Sequence, residues 1–523
     1  WLNYGNGEFR RLVTPAFDLD KNAEDMGALF FDYDSDGRPD LLVTSGGIEA
    51  PKGSKHYTDR LYRNTGGFRF ERVLFPGGSS SSGPAAACDF DRDGDLDLFI
   101  GGRLTRGEYP LPGTSRLLRN DKGNFADATK TLAPGLATAG MVTGAMWTDA
   151  TGDGWTDLLV TTEWGPVKLF QNNKGKLVDA TKEAGLSNLT GWWTGIAAAD
   201  FDLDGDLDYA VGNLGLNTKY KVTQERPFEG YYGMFDHTGR KHFVEATWEN
   251  DKLYPVRGLS CSTDAMPFVN RKFLNYGDFA RATIPEIYTS KSLGEAYRVE
   301  AKILESGILL NDGSGHFDFY PLPRTAQIAP TFGIVAKDFD ADGKVDLALA
   351  QNFFSSQPET GRMDGGIGQF LQSLGDGNFL PVAQKESGIA VKGDGRSLAA
   401  IDLDNDGLLD LVFARNDTAP EIYLHNPNSS MGKTENRSLR ILLKGSKGNP
   451  TGIGSKITLH VQDGNTQSAE IHAGSGYLTQ TPAGTIFDLG KEEEAVIEVQ
   501  WPNGKTSTTQ VSNGIKTIIV SLP

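Results

Sequence analysis

Six times along the chain an apolar run leads into an acidic loop of the form D-x-D-x-D-G-x-x-D and out into a second apolar run. The copies carry Asp32, Asp34, Asp36, Gly37 and Asp40; Asp89, Asp91, Asp93, Gly94 and Asp97; and Asp149, Thr151, Asp153, Gly154 and Asp157. The rest carry Asp200, Asp202, Asp204, Gly205 and Asp208; Asp338, Asp340, Asp342, Gly343 and Asp346; and Asp402, Asp404, Asp406, Gly407 and Asp410. Their starts lie 51 to 64 residues apart, except for one interval of 138. That interval predicts a seventh, decayed unit at 234–242, with Met234, Asp236, Thr238, Gly239 and His242 at the key places.

A second element alternates with the first: a short apolar run, Asn, a Gly-rich turn, then an aromatic or apolar residue. Examples are LNYGNGEF from Leu2, LYRNTGGF from Leu61 and LLRNDKGNF from Leu117. Apolar runs around a Gly/Asn turn read as β-hairpins. Each unit therefore holds about four short strands, one blade's worth. The 64 glycines among 523 residues suit many tight turns. A sandwich could also use such strands, but similar units of this length favour a ring with protected edges. The expected fold is all-β: a seven-bladed β-propeller over 1–426 with a helical insertion at about 249–306. A linker at 427–435 and a small β-sandwich at 436–523 follow. The N-terminal hairpin is expected to complete the last blade, EIYLHN at Glu421 to Asn426, and latch the ring.

Carboxylates at positions 1, 3, 5 and 9 of a tight loop converge on one point, and glycine at position 6 permits the turn. Position 7 adds a backbone carbonyl, here from Arg38, Asp95, Trp155, Asp206, Lys344 or Leu408. That many hard oxygens select Ca²⁺, and the absence of His and Cys argues against zinc. About six calcium sites are expected, the third weakened by Thr151. Bound calcium would offset much of the formal charge of −17, and the charge itself argues against nucleic acid as a partner.

With these residues on view, the units resemble FG-GAP/VCBS repeats, which form the propellers of integrin α-subunits and many bacterial surface proteins. The tail resembles an ASPIC/UnbV domain through GIGSKITL from Gly452, AGSGYLTQ from Ala473, FDLG from Phe487 and VQWPNGK from Val499. Asp488 stands where that family usually has glycine. The combination resembles the cartilage acidic protein family and surface VCBS proteins of Bacteroidetes-type bacteria. NLGLNTKY from Asn213, GWWTG from Gly191 and GRMDGG from Gly361 add to the likeness. The resemblance implies adhesion or ligand binding outside the cell, on a Gram-negative outer membrane or in secreted form.

Candidate ligand contacts are Arg103, Tyr109, Trp164, Trp192, Trp193, Arg362 and Asp364, all in or beside loops. The tryptophans admit two readings, sugar stacking or packing between blades. The insertion likewise either lines a binding face or covers the decayed blade, and 292–306 has helical apolar spacing. No H-E-x-x-H or G-x-S-x-G motif occurs. The chain is therefore expected to be a calcium-stabilised binding protein, not an enzyme, taking a glycan or a protein. A polysaccharide lyase or glycosidase, with Glu163, Glu359 and Asp364 as candidate acids, is one alternative. An accessory subunit of an outer-membrane nutrient transporter is another. No apolar run is long enough to span a membrane. The chain opens on Trp1 and reads as a processed piece, so a targeting segment is expected to be missing from it. Cys88 is expected to be a buried thiol, and whether Cys88 and Cys261 pair stays open.

Overall fold

A computed structural model describes residues 1–523 except 6–7, 79, 237, 358–359, 427–436, 462–465 and 493. The expected linker at 427–435, Glu359 and the Asp463-Gly464 pair, which reads in sequence as a hairpin turn, therefore lie outside the described residues. The protein is mostly β.

Each acidic repeat builds one antiparallel sheet. The strand before the loop and the strand after it pair, and the Asn hairpin adds the outer strands. In the first sheet these are Asp25–Phe31, Asp40–Ser45, Arg60–Gly66 and Arg69–Val73. The second to fifth sheets repeat the order, and the sixth has three strands, Gly395–Ile401, Asp410–Arg415 and Glu421–Tyr423. Strands after the loops, such as DLLVTS and DLALAQ, are buried throughout because other sheets cover both their faces. The first strand of each sheet packs against the first strand of the next, from sheet one to sheet six. Apolar clusters fill the gaps between them: Phe99 and Trp147 between sheets two and three, Trp193 and Tyr209 between three and four, and Leu349 and Phe201 between four and five. Val335 and Phe413 lie between five and six. Cys88 is a buried, free thiol within the first of these clusters.

Between sheets six and one the order is open. Ile422 and Leu424 on the one side and Phe30 on the other stay partly exposed. The short helix Pro15–Leu19 covers the outer flank of sheet one through Phe17. The N-terminal strands Leu2–Asn3 and Phe9–Arg10 pair as a separate two-stranded sheet, so they add no strand to the sixth. They are tied to it through a side chain. Asn3 Nδ2 donates to the carbonyl of Leu403 at 2.9 Å. Asn120, Asn172 and Asn311 make the same bond to Tyr33, Phe90 and Ala150 of the preceding acidic loop. The N-terminal pair thus takes the place that follows sheet six.

The decayed unit is not in this series. Its residues fall in a separate sheet of Phe228–Gly233, His242–Glu249, Lys252–Pro255 and Tyr297–Ala301. That sheet and five short helices form an insertion between the second and third strands of sheet four, with its own core around Val269, Ile284 and Tyr288. The insertion therefore begins near 212, ahead of the expected 249. The helical reading of 292–306 also needs correcting. Helix occupies only Ser290–Glu295, and Tyr297–Ala301 is a strand, with Val299 and Ala301 turned into an aromatic cluster and Arg298 paired with Glu229.

The C-terminal part packs two sheets on each other. One holds Ser438–Lys444, Thr485–Asp488 and Thr517–Ser521; the other holds Thr466–Glu470, Lys456–Val461, Ala495–Gln500 and Thr506–Val511. Its core joins that of sheets one and two. Between the sheets, residues 471–481 run through the middle of the six repeat sheets and touch the first strand of every one. Gln480 exchanges two hydrogen bonds with Phe30. Ala87 N donates to Ala473 O, and His472 Nδ1 bonds Trp147 O at 3.0 Å. Gly476 and Ile196 exchange backbone bonds, the Tyr477 ring meets Phe332 edge-on at 5.0 Å, and Ser397 Oγ donates to Tyr477 O. Gly474 has φ +93°, and a Cβ there would stand 2.4 Å from Ala85 O, so the close passage demands glycine.

Candidate functional site

The acidic loops lie where the first strands of the sheets end. In all six, the first Asp accepts through Oδ2 from the backbone N–H of the glycine five residues on, at 2.7 to 3.2 Å. That glycine has φ between +84° and +99° each time. The fourth position is left-handed too. Glycine serves there only in the third loop, while Ser35, Arg92, Leu203, Ala341 and Asn405 bear the strain. The ninth residue has a role that its spacing did not announce. Asp208 accepts from Phe201 N–H and Asn311 N–H, and Asp40, Asp346 and Asp410 repeat the pattern, stapling loop to hairpin.

What remains after these bonds fits a cation. Every loop keeps a buried carboxylate oxygen with no hydrogen-bond donor: Oδ1 of Asp34, Asp89, Asp149, Asp200, Asp340 and Asp402, with Asp97 Oδ2 in addition. Carboxylate oxygens of Asp32, Asp34 and Asp36 lie within 4.8 Å of one another, as do those of Asp89, Asp91 and Asp97. Asp200, Asp202 and Asp208, Asp338, Asp340 and Asp346, and Asp402, Asp404 and Asp410 make three more such groups. The third loop makes no such group among the described residues. Thr151 Oγ1 instead donates to Asp157 Oδ2, and Asp153 binds Trp155 N–H. The position-7 side chains Arg38 and Lys344 bond back onto Asp36 and Asp342. Asp93, Asp95, Asp204, Asp206, Asp406 and Leu408 sit on the outer rim of their loops, where the fifth Asp accepts from the seventh N–H.

Burial pushes the inner carboxyls up, and like-charged neighbours add to it. Asp97 stands at about 9, Asp338 and Asp346 at about 8, and Asp40, Asp89, Asp157 and Asp208 at about 7. Such groups ionise readily only with a cation among them. The C-terminal domain covers this face. Lys456 Nζ donates to Gly205 O, and Glu470 accepts from Asp149 N–H.

At the other end, where the first strands begin, lies a cavity of about 840 Å³ on the axis of the sheets. Tyr477 and Leu478 of the threaded segment form its floor. Its walls come from sheets one, two, three, five and six and from the insertion. Trp164, Trp192, Tyr220 and Phe243 form one side, and Phe332, Phe353 and Arg396 the other. Trp164 meets Trp192 edge-on at 4.6 Å. Arg396 lies over Phe332 at 4.1 Å and over Phe353 at 4.7 Å. Tyr109 OH donates to Glu163 Oε1 and accepts from Trp164 Nε1, both at 2.6 Å, while Arg103 pairs with Glu163. Burial holds the Tyr109 hydroxyl far above its ordinary range, so it stays neutral.

Of the candidate contacts, Arg103, Tyr109, Trp164 and Trp192 meet at this cavity. Trp193 lies beside it but offers it no ring. Its ring is fully buried between sheets three and four, with Nε1 bonded to Leu189 O. Arg362 and Asp364 do not line it; Arg362 lies over Phe354 instead. Sequence reasoning missed Tyr220, Phe332, Phe353, Arg257, Arg396 and Tyr477. Tyr477 and Tyr220 alone carried a signal, through the AGSGYLTQ and NLGLNTKY motifs.

Residues 149–211, spanning the third and fourth loops, match the FG-GAP-like repeat model, and 445–521 match the ASPIC and UnbV model. Cartilage acidic protein 1 of Homo sapiens is 22% identical over 98% of the chain, and that of Xenopus tropicalis is 23% identical over 69%. The chain spans 66% and 41% of those relatives' lengths. The solved structure of BBS1N in complex with ARL6DN aligns over 78% of this chain and 94% of its own at 10% identity and a TM-score of 0.28, too low to carry an argument. No helix among the described residues is long and apolar enough to cross a membrane. The chain therefore joins FG-GAP-like repeat sequence to an ASPIC and UnbV domain, and it is similar in sequence to cartilage acidic protein 1.

Proposed function

We propose that this chain is an extracellular binding protein, a calcium-loaded β-propeller whose axial cavity takes the ligand. In this reading the propeller has seven positions: six hold the repeat sheets, and the N-terminal pair marks the seventh. Asp32, Asp89, Asp149, Asp200, Asp338 and Asp402, with their loop partners, would hold Ca²⁺. The donorless carboxylate oxygen in every loop supports this.

The cavity carries the functional reading. It sits on the axis, it is lined by aromatic and hydrogen-bonding side chains, and its volume falls in the roughly 300–1,000 Å³ range of small-ligand pockets. Binding is better supported than catalysis. A glycosidase needs two available carboxyls across the cleft. Here Glu163 is held by Arg103 and Tyr109, Glu245 by Arg257, and Asp25 by Arg60, which leaves Glu24 as the one lining carboxyl with no ion pair among the described residues.

The test is to titrate soluble glycans and peptides into the calcium-loaded chain and follow tryptophan fluorescence, with Arg396→Ala in parallel. The reading expects a ligand that changes the emission and binds Arg396→Ala at least tenfold more weakly, with the melt showing that the variant, though less stable for the lost pair to Asp394, is still folded at the assay temperature. A ligand indifferent to Arg396→Ala places the binding elsewhere.

A further inference from the structure

A smaller cavity, of about 100 Å³, lies on the face that the C-terminal domain covers, between that domain and sheets four and five. Met146, Ala198 and Ile334 give it apolar walls. Lys337, the last residue of the first strand of sheet five, also lines it. The side chain is partly buried, and its amine makes no hydrogen bond or ion pair among the described residues, yet it keeps open surface. Its charge reaches His472, another lining residue, whose protonated form it disfavours. That places the amine at the cavity rather than out at the rim of the acidic loops.

A lysine amine taken out of water needs an acceptor or a countercharge. The three acids at the cavity supply neither. Asp200 and Asp338 accept from the backbone N–H groups of Gly205 and Gly343 in their own loops, and Glu470 accepts from Asp149 N–H. No carboxylate stands close enough to offset the charge of Lys337. Hydroxyls line the cavity instead. Ser468 and Glu470 share one face of the strand Thr466–Glu470, and Glu470 reaches Asp149, so Ser468 faces the repeat sheets as well. Ser475 and Thr481 of the threaded segment are lining residues too. None of these three hydroxyls has a hydrogen-bond partner among the described residues. A further cation would meet the lysine's own charge, so the open donors call for an anion.

We infer that this cavity seats one small monovalent anion, of the halide or nitrate class, held by the Lys337 ammonium and the Ser468 hydroxyl. One uncompensated cation calls for one negative charge. The volume is also far below the roughly 300–1,000 Å³ of pockets that take organic ligands. The anion ties sheet five to the C-terminal domain and the threaded segment, a point of attachment independent of the axial cavity and its ligand.

The experiment uses the full chain in sodium gluconate with millimolar calcium gluconate. Chloride, bromide or nitrate then replaces gluconate, a much bulkier anion, at constant ionic strength. Melts of wild type, Lys337→Met and Ser468→Ala are compared. Lys337→Met keeps the unbranched stem and removes the charge. The wild-type melting temperature should rise with the small anion and level off, by about 1 °C at tenfold excess over the dissociation constant. Ser468→Ala should need about fivefold more anion for the same rise, as the loss of one hydrogen bond implies, and Lys337→Met should not respond. A wild type indifferent to all three anions overturns the inference and leaves water in the cavity. An equal response in Lys337→Met overturns the site. Crystals grown in bromide keep the test open even where Lys337→Met fails to fold. An anomalous peak within hydrogen-bonding distance of Lys337 Nζ is expected, and its absence at a bromide concentration that saturates the melt overturns the assignment.

Discussion

Gly474 is the tightest point where the C-terminal segment threads the repeat sheets, and Gly474→Ala should undo the threading. An added Cβ would stand 2.4 Å from Ala85 O and 3.1 Å from Ala86 Cα, backbone atoms that cannot step aside. The backbone at φ +93° also lies outside the left-handed region that alanine tolerates, a strain of about 1–2 kcal/mol. Moving the segment away breaks the bond from Ala87 N–H to Ala473 O in a dry setting, costing about 1–3 kcal/mol more. The total is about 2–5 kcal/mol. Gly490→Ala is the control: φ is +59° and open space surrounds the site, so only about 1 kcal/mol is at stake. Urea unfolding in millimolar calcium, followed by far-UV circular dichroism, compares the two. Because Tyr477 and Leu478 floor the cavity, Gly474→Ala should also abolish the tryptophan response to ligand. Equal stability of the two variants would refute the argument that this segment is an axle held by contact with every sheet.

Other consequences can be checked in the same way. Leu203 carries φ +65° at the fourth position of its loop, so Leu203→Gly should raise the stability of the calcium form by up to about 1 kcal/mol, read as a higher melting temperature. Thr151→Asp should give the third loop the carboxylate it lacks, and metal analysis after dialysis against low calcium should count one more ion per chain than in wild type. His472 is buried and lowered to about 4, whereas an unfolded histidine takes its proton near 6.5. Its contribution is full above about pH 6.5 and falls away as pH drops toward 4, a loss of up to about 3 kcal/mol. Lys337 faces the same region and Glu470, raised by burial, works in the opposite sense. The measure is therefore the difference in slope between wild type and His472→Gln over pH 4–6.5, which should be positive.

The acidic loops were legible because their chemistry is local: ligands two residues apart and a glycine for the turn lie within nine residues of sequence. Even there, the stapling role that Asp208 adds to its expected place in a cation site depends on Asn311, more than a hundred residues away, and no spacing rule shows it. The cavity was legible only in part. Arg103 and Trp164 lie near the ends of the strands after the second and third acidic loops, Tyr109 follows in the next loop, and Trp192 comes just before the first strand of sheet four, so the repeat register put all four at one end. Arg396 and Phe332 come from the starts of other strands and meet them only through the arrangement of the sheets. Trp193 shows the limit of composition: beside Trp192 in sequence, it turns to the opposite face, as adjacent strand residues do, and fills the core. The 234–242 segment resembles a repeat because a Gly turn between strands is common to both, yet it pairs within the insertion. The AGSGYLTQ segment was visible as a motif, but its path along the axis is a tertiary fact.

The central claim is that calcium in the repeat loops holds this fold together. Thermal unfolding of the full chain in 1 mM Ca²⁺ and in EGTA tests it most directly, with bound calcium counted by mass spectrometry before each melt. At tenfold excess over the dissociation constant each site contributes about 1.4 kcal/mol, so the five well-formed groups together supply about 7. The account predicts five or six ions per chain and a melting temperature about 6 °C lower after EGTA removes them. A chain shown to be free of calcium that melts at the same temperature would contradict it.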